Sequence, residues 1–325
     1  MGVGKILVDR NQLVLNNNKI KHFFMIYPPY LKVGDKIAIV SPAGKVNPEI
    51  VKHGAERLRE EGFEVEIGEH AFTETGIFAG TDVERAGDMQ KALDDGSVKA
   101  IIFARGGYGS LRTQQLLDWS NFMQQPKWLV GFSDITVFHA FLYQRGIASV
   151  HGVMPAFFDQ NGVPSESFRL TIDLLKGKTP WFKEANHPLN RNGEASGKLI
   201  GGNLSIVYSL RGTPLDLSPE GNILFIEDLS EYHYHLDRMM MNLKTSGVLE
   251  QLKGLVVGHF SDMKDGDTAY GKEAAEIIRE AVDDYDYPVM FGFPAGHVMP
   301  NYPLIMGAQI QLSVGEKESR LNFQL

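Results

Sequence analysis

The 325-residue chain contains no cysteine, which excludes disulfide bonds, thiolate metal ligands and cysteine nucleophiles. It also lacks an apolar run approaching the roughly 18 residues that a membrane-spanning helix needs. Lysine and arginine form no long cluster, and the net charge of −8 offers no broad basic surface for nucleic acid. We therefore expect a globular protein with neither nucleic acid nor a membrane as its partner.

Residues 1–24 also lack the apolar core of a secretory signal, being polar and rich in asparagine. We expect them to form an N-terminal extension with little fold, with Met25 as a candidate natural start. A cytoplasmic location is the corresponding expectation. The length predicts two domains, and 43% hydrophobic with 22% charged residues is typical of globular proteins.

Short apolar runs alternate with helical patterns between residues 25 and 158, which predicts an α/β domain with a parallel sheet. The predicted strands lie at 36–40, 63–67, 100–104 and 128–130, and the main helices at 48–61 and 83–93. Ligands of such sheets bind beyond the carboxyl ends of the strands. The turns at 41–44, 105–109 and 131–134 should therefore share one rim.

Proline, glycine and asparagine interrupt residues 159–196, which we interpret as a linker. A second α/β domain is predicted for residues 197–325. Its strands are expected at 222–226, 254–258 and 289–292, with a helix over 232–243 and a hairpin that turns at 315–316.

The turn at residues 131–135 reads Gly-Phe-Ser-Asp-Ile and joins an apolar strand to a helical pattern. A serine at such a turn exposes its hydroxyl, while the following N–H groups point toward whatever the oxygen attacks. Ser133 is thus a candidate nucleophile. The motif matches only half of the Gly-x-Ser-x-Gly pattern, and an ordinary helix N-cap serine is the alternative.

The glycine-rich segment 105–110 also follows a predicted strand. Its adjacent glycines allow the backbone to approach a ligand closely and to present free N–H groups. Three interpretations remain open: a phosphate cradle, an oxyanion loop beside Ser133, or a flexible turn. The usual nucleotide-binding fingerprints are absent, which weighs against a nucleotide-binding enzyme.

A nucleophilic serine needs a base and an orienting carboxylate. Glu227 and Asp228 end a predicted strand on opposite faces, and their spacing does not decide between them. His297 follows a buried strand in a Gly/Pro-rich loop and is the leading base candidate. His259 is the second candidate, and His151 could line the same rim.

The remaining histidines of interest favour packing over chemistry. His139 lies six residues beyond Ser133 on the predicted helix and should face elsewhere. His233 and His235 are two residues apart, so a helix would place them on different faces. No His-Glu-x-x-His motif is present, and we expect no metal site and no cofactor.

Six ordered blocks together resemble the LD-carboxypeptidase family of serine peptidases, the muramoyltetrapeptide carboxypeptidases. The blocks are KIAIVSPAG (36–44), ARGGYG (104–109), GFSDIT (131–136), GGNL (201–204), IED (226–228) and GFPAGH (292–297). The resemblance covers nearly the whole chain from Tyr27 to about Leu312. It implies a flavodoxin-like N-terminal domain joined to a smaller C-terminal α/β domain, often as a homodimer.

The resemblance also implies a catalytic triad split across the cleft between the domains. The nucleophile falls on Ser133, the carboxylate on Glu227 and the base on His297, with Asp228 left outside the triad. The oxyanion donors would be the backbone N–H of Asp134 and one from the loop at Gly106 and Gly107.

The implied reaction is hydrolysis of an L,D peptide bond that releases terminal D-alanine from murein tetrapeptide, without a metal. The leaving residue carries a carboxylate, and Arg105 is the candidate cation for it; the alternative is a structural arginine paired to an acid.

Two other functions stay open. The first is a hydrolase of the same fold that cuts aminoacyl-nucleotide conjugates, as microcin C self-immunity peptidases do, with Trp181 and Phe182 as a platform for the base. The second is a two-lobed binding protein without catalytic activity.

Overall fold

The computed structural model describes residues 25–325, so the extension predicted at residues 1–24 lies outside the described residues. The strands are β1 (Lys36–Val40), β2 (Glu64–Ile67), β3 (Val98–Phe103), β4 (Trp128–Gly131), β5 (Ser149–His151), β6 (Asp159–Gln160), β7 (Val163–Pro164), β8 (Trp181–Ala185), β9 (Gly193–Asn203), β10 (Ile223–Leu229), β11 (Gly254–Ser261), β12 (Val289–Met290), β13 (Leu304–Met306), β14 (Gln309–Val314) and β15 (Glu318–Phe323). The helices are α1 (Pro48–Glu60), α2 (Asp82–Asp94), α3 (Ser110–Gln114), α4 (Ser120–Gln124), α5 (Thr136–Tyr143), α6 (Glu166–Leu175), α7 (Leu204–Ser209), α8 (His233–Thr245) and α9 (Ala274–Ala281).

The first sheet has the strand order β13-β5-β4-β3-β1-β2. Strands β1 to β5 run parallel, which is the flavodoxin-like doubly wound arrangement that the alternating pattern predicts. Helices cover both faces of the sheet, and its central strands are therefore almost continuously apolar and buried.

Capping residues set the starts of the two long helices of this domain. The Asn47 side chain accepts the N–H of Glu49, and Pro48 occupies the first turn of α1, where its missing N–H costs nothing. Thr81 and Glu84 form a reciprocal capping box at the start of α2. These helices then bury their apolar faces on the two sides of the sheet.

The second sheet has the order β12-β11-β10-β9-β14-β15-β8. Strands β9 to β12 are parallel, and the rest pair antiparallel. The predicted C-terminal hairpin is present, with Leu312 opposite Leu321. Within residues 25–325 no helix has the length and apolar character needed to cross a bilayer.

The segment 159–196, interpreted from its sequence as a linker, carries regular structure. It contains α6, whose Phe168 and Ile172 enter the core of the first sheet, and β8, the edge strand of the second sheet. The apolar residues of α6 recur at helical spacing, but the prolines and glycines on either side conceal this pattern.

The last part of the chain also contributes to both sheets. Strand β13 pairs antiparallel with β5 of the first sheet, although its residues fall within the predicted second domain, 197–325. The two units meet beside α5, where the N–H of Asn203 donates to Thr136 Oγ1 at 3.0 Å. A Cβ atom on Gly202 would lie 2.5 Å from the same oxygen, so this close approach requires glycine.

Candidate active site

Ser133 stands at the carboxyl end of β4 in a strained backbone conformation. Its φ is 66°, in the left-handed region that a non-glycine residue rarely adopts. Phe132 before it is extended, and a short 3-10 helix over Ser133–Ile135 leads into α5. The N-cap position is Phe132 for this 3-10 helix and Ile135 for α5, so Ser133 occupies neither N-cap position.

The glycine-rich loop lies directly against this turn. The N–H of Gly44 donates to the Gly106 carbonyl at 2.9 Å, which joins the turn after β1 to the loop after β3. A Cβ on Gly106 would lie 3.0 Å from Ser133 Cβ and 3.2 Å from the Asp134 nitrogen. Gly107 has a φ of 95°. All three predicted turns therefore share one rim, as the strand pattern indicates.

Asp134 fastens the loop to the serine turn through its buried side chain. The carboxylate accepts the N–H of Ser110 at 2.7 Å, where α3 begins. Burial raises the pKa of Asp134 above its ordinary value, and the hydrogen bonds from Ser110 and Gly109 oppose that shift. The side chain is thus a tether, while the backbone N–H of Asp134 stays next to Gly106.

Arg105 lies exposed at the start of the same loop and donates to the Lys45 carbonyl at 2.7 Å. Its partner in the described chain is therefore a carbonyl in the neighbouring turn rather than an acidic side chain. A guanidinium has five N–H donors, so this hydrogen bond leaves others for a ligand.

Glu227 and His297 meet at the carboxyl end of the second sheet. The His297 Nδ1 atom lies 2.7 Å from Glu227 Oε2, and the Glu227 side chain is completely buried. The imidazole is 11% exposed, so its ring is not completely closed off from solvent. Its ring packs edge-to-face on Phe132 with a centroid distance of 4.9 Å. The residue next to Ser133 thus touches the histidine that Glu227 holds.

Asp228 faces the other side of β10, as strand alternation requires. Its carboxylate accepts hydrogen bonds from Asn203 Nδ2 at 2.9 Å and from the N–H and hydroxyl of Ser205 at 2.9 and 2.8 Å. Burial, and secondarily the charge of Glu227, raise the pKa of Asp228 to about 6. The geometry therefore assigns Asp228 to anchoring α7 and Glu227 to holding His297.

Two other histidines lie close to this pair. His259 Nε2 is 3.3 Å from the Pro300 carbonyl. A Cβ atom built on Gly296 would lie 3.1 Å from the Cβ of His259. His151 is completely buried beneath Phe132, with a centroid distance of 5.8 Å. Neither ring has a carboxylate within hydrogen-bonding distance in the described part of the chain.

The other three histidines considered from the sequence each contact another polar group. His233 Nδ1 lies 2.9 Å from Asp265, and His235 pairs with Glu231 at 2.5 Å. His139 is buried and contacts the Gly131 carbonyl and the Ser149 hydroxyl. Among residues 25–325, no cluster of three or more histidines and acids is placed to hold a metal ion.

The two aromatic residues considered as a platform for a nucleobase, Trp181 and Phe182, lie in different environments. Phe182 is buried in the core of the second sheet, with its ring 5.3 Å from that of Phe293. Trp181 is 66% exposed, but its strand β8 is separated from β10 by β15, β14 and β9. The pair therefore does not form a platform beside Glu227.

His139 provides a pH-dependent test of this packing. Burial lowers the pKa of His139 to about 4, because the imidazolium loses its hydration. Between about pH 6.5 and 4 the unfolded chain binds a proton that the folded chain does not, so stability falls as the pH falls. The loss amounts to about 3 kcal/mol. Asp228, with its raised pKa, acts in the opposite direction over part of this range.

The contribution of His139 is measured by comparing variants. Urea unfolding at pH 7 and pH 5 should show a weaker pH dependence in His139→Gln than in the wild type. Equal dependence in both proteins would mean that folding does not lower the pKa of His139, and it would contradict the prediction.

Gly258 in β11 controls the position of the loop that carries His297. A Cβ there would lie 2.4 Å from the Ala295 carbonyl oxygen and 3.2 Å from Glu227 Cβ. Gly258→Ala should therefore destabilise the protein by about 1–3 kcal/mol and lower kcat, because the loop must move. Thermal unfolding and steady-state kinetics test this. Gly266→Ala, at a position with open space, is the control and should change neither; equal effects would contradict the prediction.

Two asparagines in this region were not identified as site residues from the sequence. Asn203 belongs to the GGNL block, and its side chain caps α7 by accepting the N–H of Ile206. Asn301 is buried in the loop after His297 and accepts the N–H of Gly296 at 3.0 Å. A polar residue before an apolar helical run could have indicated Asn203, but no sequence pattern singles out Asn301.

Comparison with known proteins shows that both halves of the chain match models of one protein family. Residues 37–152 match the family model described as the LD-carboxypeptidase N-terminal domain, and residues 196–312 match the model for its C-terminal domain. The "Probable murein peptide carboxypeptidase" of Bacillus subtilis is 31% identical over 301 residues, covering 89% of this chain and 92% of the relative.

Two solved structures are also similar to this chain. The crystal structure of muramoyltetrapeptide carboxypeptidase from Oxalobacter formigenes has a TM-score of 0.82 and 29% identity, covering 89% of this chain and 99% of that one. Microcin C7 self immunity protein MccF also has a TM-score of 0.82, covering 92% and 99%. Its identity is 21%, so this likeness concerns the fold alone.

Proposed function

Because this chain belongs to the LD-carboxypeptidase family, we propose that it is a serine carboxypeptidase that cleaves an L,D peptide bond and releases D-alanine from murein tetrapeptide. The observation that carries the proposal is the 2.7 Å contact between Glu227 and His297. The His297 ring packs on Phe132, the neighbour of Ser133, whose backbone is in the left-handed region. A hydroxyl, an imidazole and a buried carboxylate in this order are the components of acyl transfer by a serine.

Each member of the proposed triad has one task. Glu227 accepts the Nδ1 hydrogen of His297, which leaves Nε2 unprotonated and able to take the proton of Ser133. The serine oxygen then attacks the carbonyl of the L,D bond, and His297 returns the proton to the departing D-alanine amine. Water hydrolyses the acyl-enzyme by the same route, and the buried carboxylate stabilises the imidazolium in both halves.

The proposed oxyanion donors are the backbone N–H of Asp134 and one N–H of the loop at Gly106 and Gly107. The proximity of Gly106 to the Asp134 nitrogen supports this pairing, since a side chain at residue 106 would fill the space beside it. Such donors act mainly on the tetrahedral intermediate, and losing one typically costs about 10²–10³ in turnover.

Arg105 is the proposed recognition group for the substrate carboxylate. It is exposed, and its hydrogen bond to the Lys45 carbonyl anchors it next to the proposed oxyanion loop. Arg105→Gln should therefore raise KM more than it lowers kcat, because the interaction binds the substrate and the transition state alike.

The family also supports several broader expectations. We propose that the protein is cytoplasmic, works as a homodimer and needs no cofactor. The units predicted at 25–158 and 197–325 share structure, since β13 pairs with β5 of the first sheet and α6 of segment 159–196 packs into the core of that sheet. Sedimentation analysis of the full chain tests the dimer, and a monomeric active enzyme would contradict it.

A direct assay identifies the substrate. The full-length protein is incubated in parallel with murein tetrapeptide and with an aminoacyl-nucleotide conjugate, and products are identified by mass spectrometry. We expect tripeptide and free D-alanine in the first reaction. Cleavage of the conjugate alone would instead assign the chain to the microcin-immunity type of activity.

A further inference from the structure

Asn301 connects the loop that carries His297 to helix α6. Its Oδ1 accepts the N–H of Gly296 at 3.0 Å, and its own N–H donates to Ser167 Oγ at 2.8 Å. The Asn301 side chain is completely buried. Because Gly296 immediately precedes His297, these two bonds limit where the histidine backbone can lie.

The contact with Gly296 also fixes which way the Asn301 amide points. A backbone N–H can only donate, so the atom opposite it must be Oδ1, and Nδ2 is directed away. Nδ2 is buried and has no hydrogen-bond partner among residues 25–325. An unpaired amide donor in the interior is unfavourable, so the position of Nδ2 needs a structural or functional explanation.

His151 presents the complementary group. Both ring nitrogens of His151 are buried and form no regular hydrogen bond in the described part of the chain, and the ring lies close enough to the Asn301 side chain for the two to interact electrostatically. Burial lowers the pKa of His151 well below its ordinary value, so the ring is neutral and one nitrogen is an acceptor. The ring is also wedged edge-on against Phe225 at 5.0 Å.

We propose that Asn301 is a positioning residue for His297 and that the imidazole of His151 orients the Asn301 amide. In this arrangement His151 serves as the partner of the Asn301 amide, and Asn301 Oδ1 accepts the N–H of Gly296, the residue before His297. Glu227 and Phe132 hold the ring of His297, whereas this second set of contacts holds its backbone. The inference rests on the proposed function, in which His297 is the base.

Loss of this support should affect the chemical step more than substrate binding. A base displaced by about 1 Å can cost on the order of 10²-fold in rate. We therefore expect kcat to fall roughly 10- to 100-fold in His151→Phe and in Asn301→Ala, with KM nearly unchanged. His151→Phe keeps an aromatic ring against Phe225 and removes only the polar atoms. His151→Gln supplies an amide oxygen as acceptor and should recover part of the loss.

A second readout does not depend on turnover. In protein labelled with ¹⁵N-histidine, the Nδ1–H of His297 should give a signal protected by its contact with Glu227, assigned by its absence in His297→Gln. We expect this signal to broaden or exchange faster in His151→Phe and Asn301→Ala. It should sharpen again in His151→Gln.

Asn190→Ala is the matched control. Asn190 Oδ1 accepts the N–H of Phe291 at 2.7 Å, so this variant also removes an asparagine contact to a backbone N–H near the end of β12. It should lower stability without altering the His297 signal.

Equal effects of Asn190→Ala and Asn301→Ala on the signal, or an unchanged signal in folded His151→Phe, would overturn the inference. If the wild type cleaved no murein peptide but the signal responded as expected, the positioning would stand and the proposed function would fail.

Discussion

Replacing Ser133 by alanine is expected to lower kcat for murein tetrapeptide by roughly 10⁶-fold while the fold stays intact. Without the hydroxyl no acyl-enzyme forms, and only binding and the proposed oxyanion donors remain to favour hydrolysis by water. The substitution removes one atom from a partly exposed side chain that caps no helix. Active-site titration and initial rates with the tetrapeptide measure the loss, and circular dichroism checks the fold.

A serine-directed fluorophosphonate probe gives the same test without a substrate. The wild type should be labelled and Ser133→Ala should not, whereas the control Ser120→Ala, at the start of α4, should label like the wild type. Undiminished labelling of Ser133→Ala would remove residue 133 from the mechanism. An unlabelled wild type that binds murein peptide without cleaving it would favour the two-lobed binding protein.

Local patterns predict four of the six strands of the first sheet, β1 to β4. Strands β1, β3 and β4 are short apolar runs, because a parallel strand buried on both faces has no polar alternation to obscure it. The turns that follow them contain Gly44, Gly106 and Ser133, and parallel strands bring such turns to one edge. The rim of the site therefore follows from element order alone.

Long-range pairing was not predictable in the same way. Strand β13 has three residues and joins the first sheet beside β5, more than 150 positions away in the chain. Strand β8 lies at an edge and shows only Phe182 as a buried residue. Neither segment carries enough local pattern to indicate its partner, since pairing depends on the packing of the whole sheet.

The choice between Glu227 and Asp228 illustrates a further limit of the sequence. Alternation places the two carboxylates on opposite faces, but it does not say which face turns toward the histidine loop. The register of β10 against β11 shifts between Ile226 and Asp228, and only the folded strand shows the outcome. Family resemblance implies Glu227, and in the folded strand it is Glu227 Oε2 that lies 2.7 Å from His297 Nδ1.

Glu227→Gln is expected to lower kcat by about 10⁴-fold with little change in structure. Glutamine has nearly the same shape and can still contact His297, but it carries no negative charge. It therefore cannot stabilise the imidazolium that forms when His297 takes the proton of Ser133, and its amide can favour the wrong ring tautomer. Stopped-flow measurement of the acylation step with the tetrapeptide would locate the loss in chemistry rather than in product release.

Asp228→Asn is the matched control for Glu227→Gln, because it neutralises the adjacent carboxylate on the other face of the strand. Asp228 Oδ2 accepts both the N–H and the hydroxyl of Ser205, so an amide NH₂ in its place leaves the Ser205 N–H without an acceptor, and stability should fall by about 1–3 kcal/mol. Turnover should remain within about tenfold of the wild type, since Asp228 contacts neither Ser133 nor His297 and small shifts of a supporting strand cost less than loss of a reacting group. The reverse ranking, with Asp228→Asn inactive and Glu227→Gln active, would transfer the orienting role to Asp228. It would also require a different contact for His297 from the one that the fold now provides.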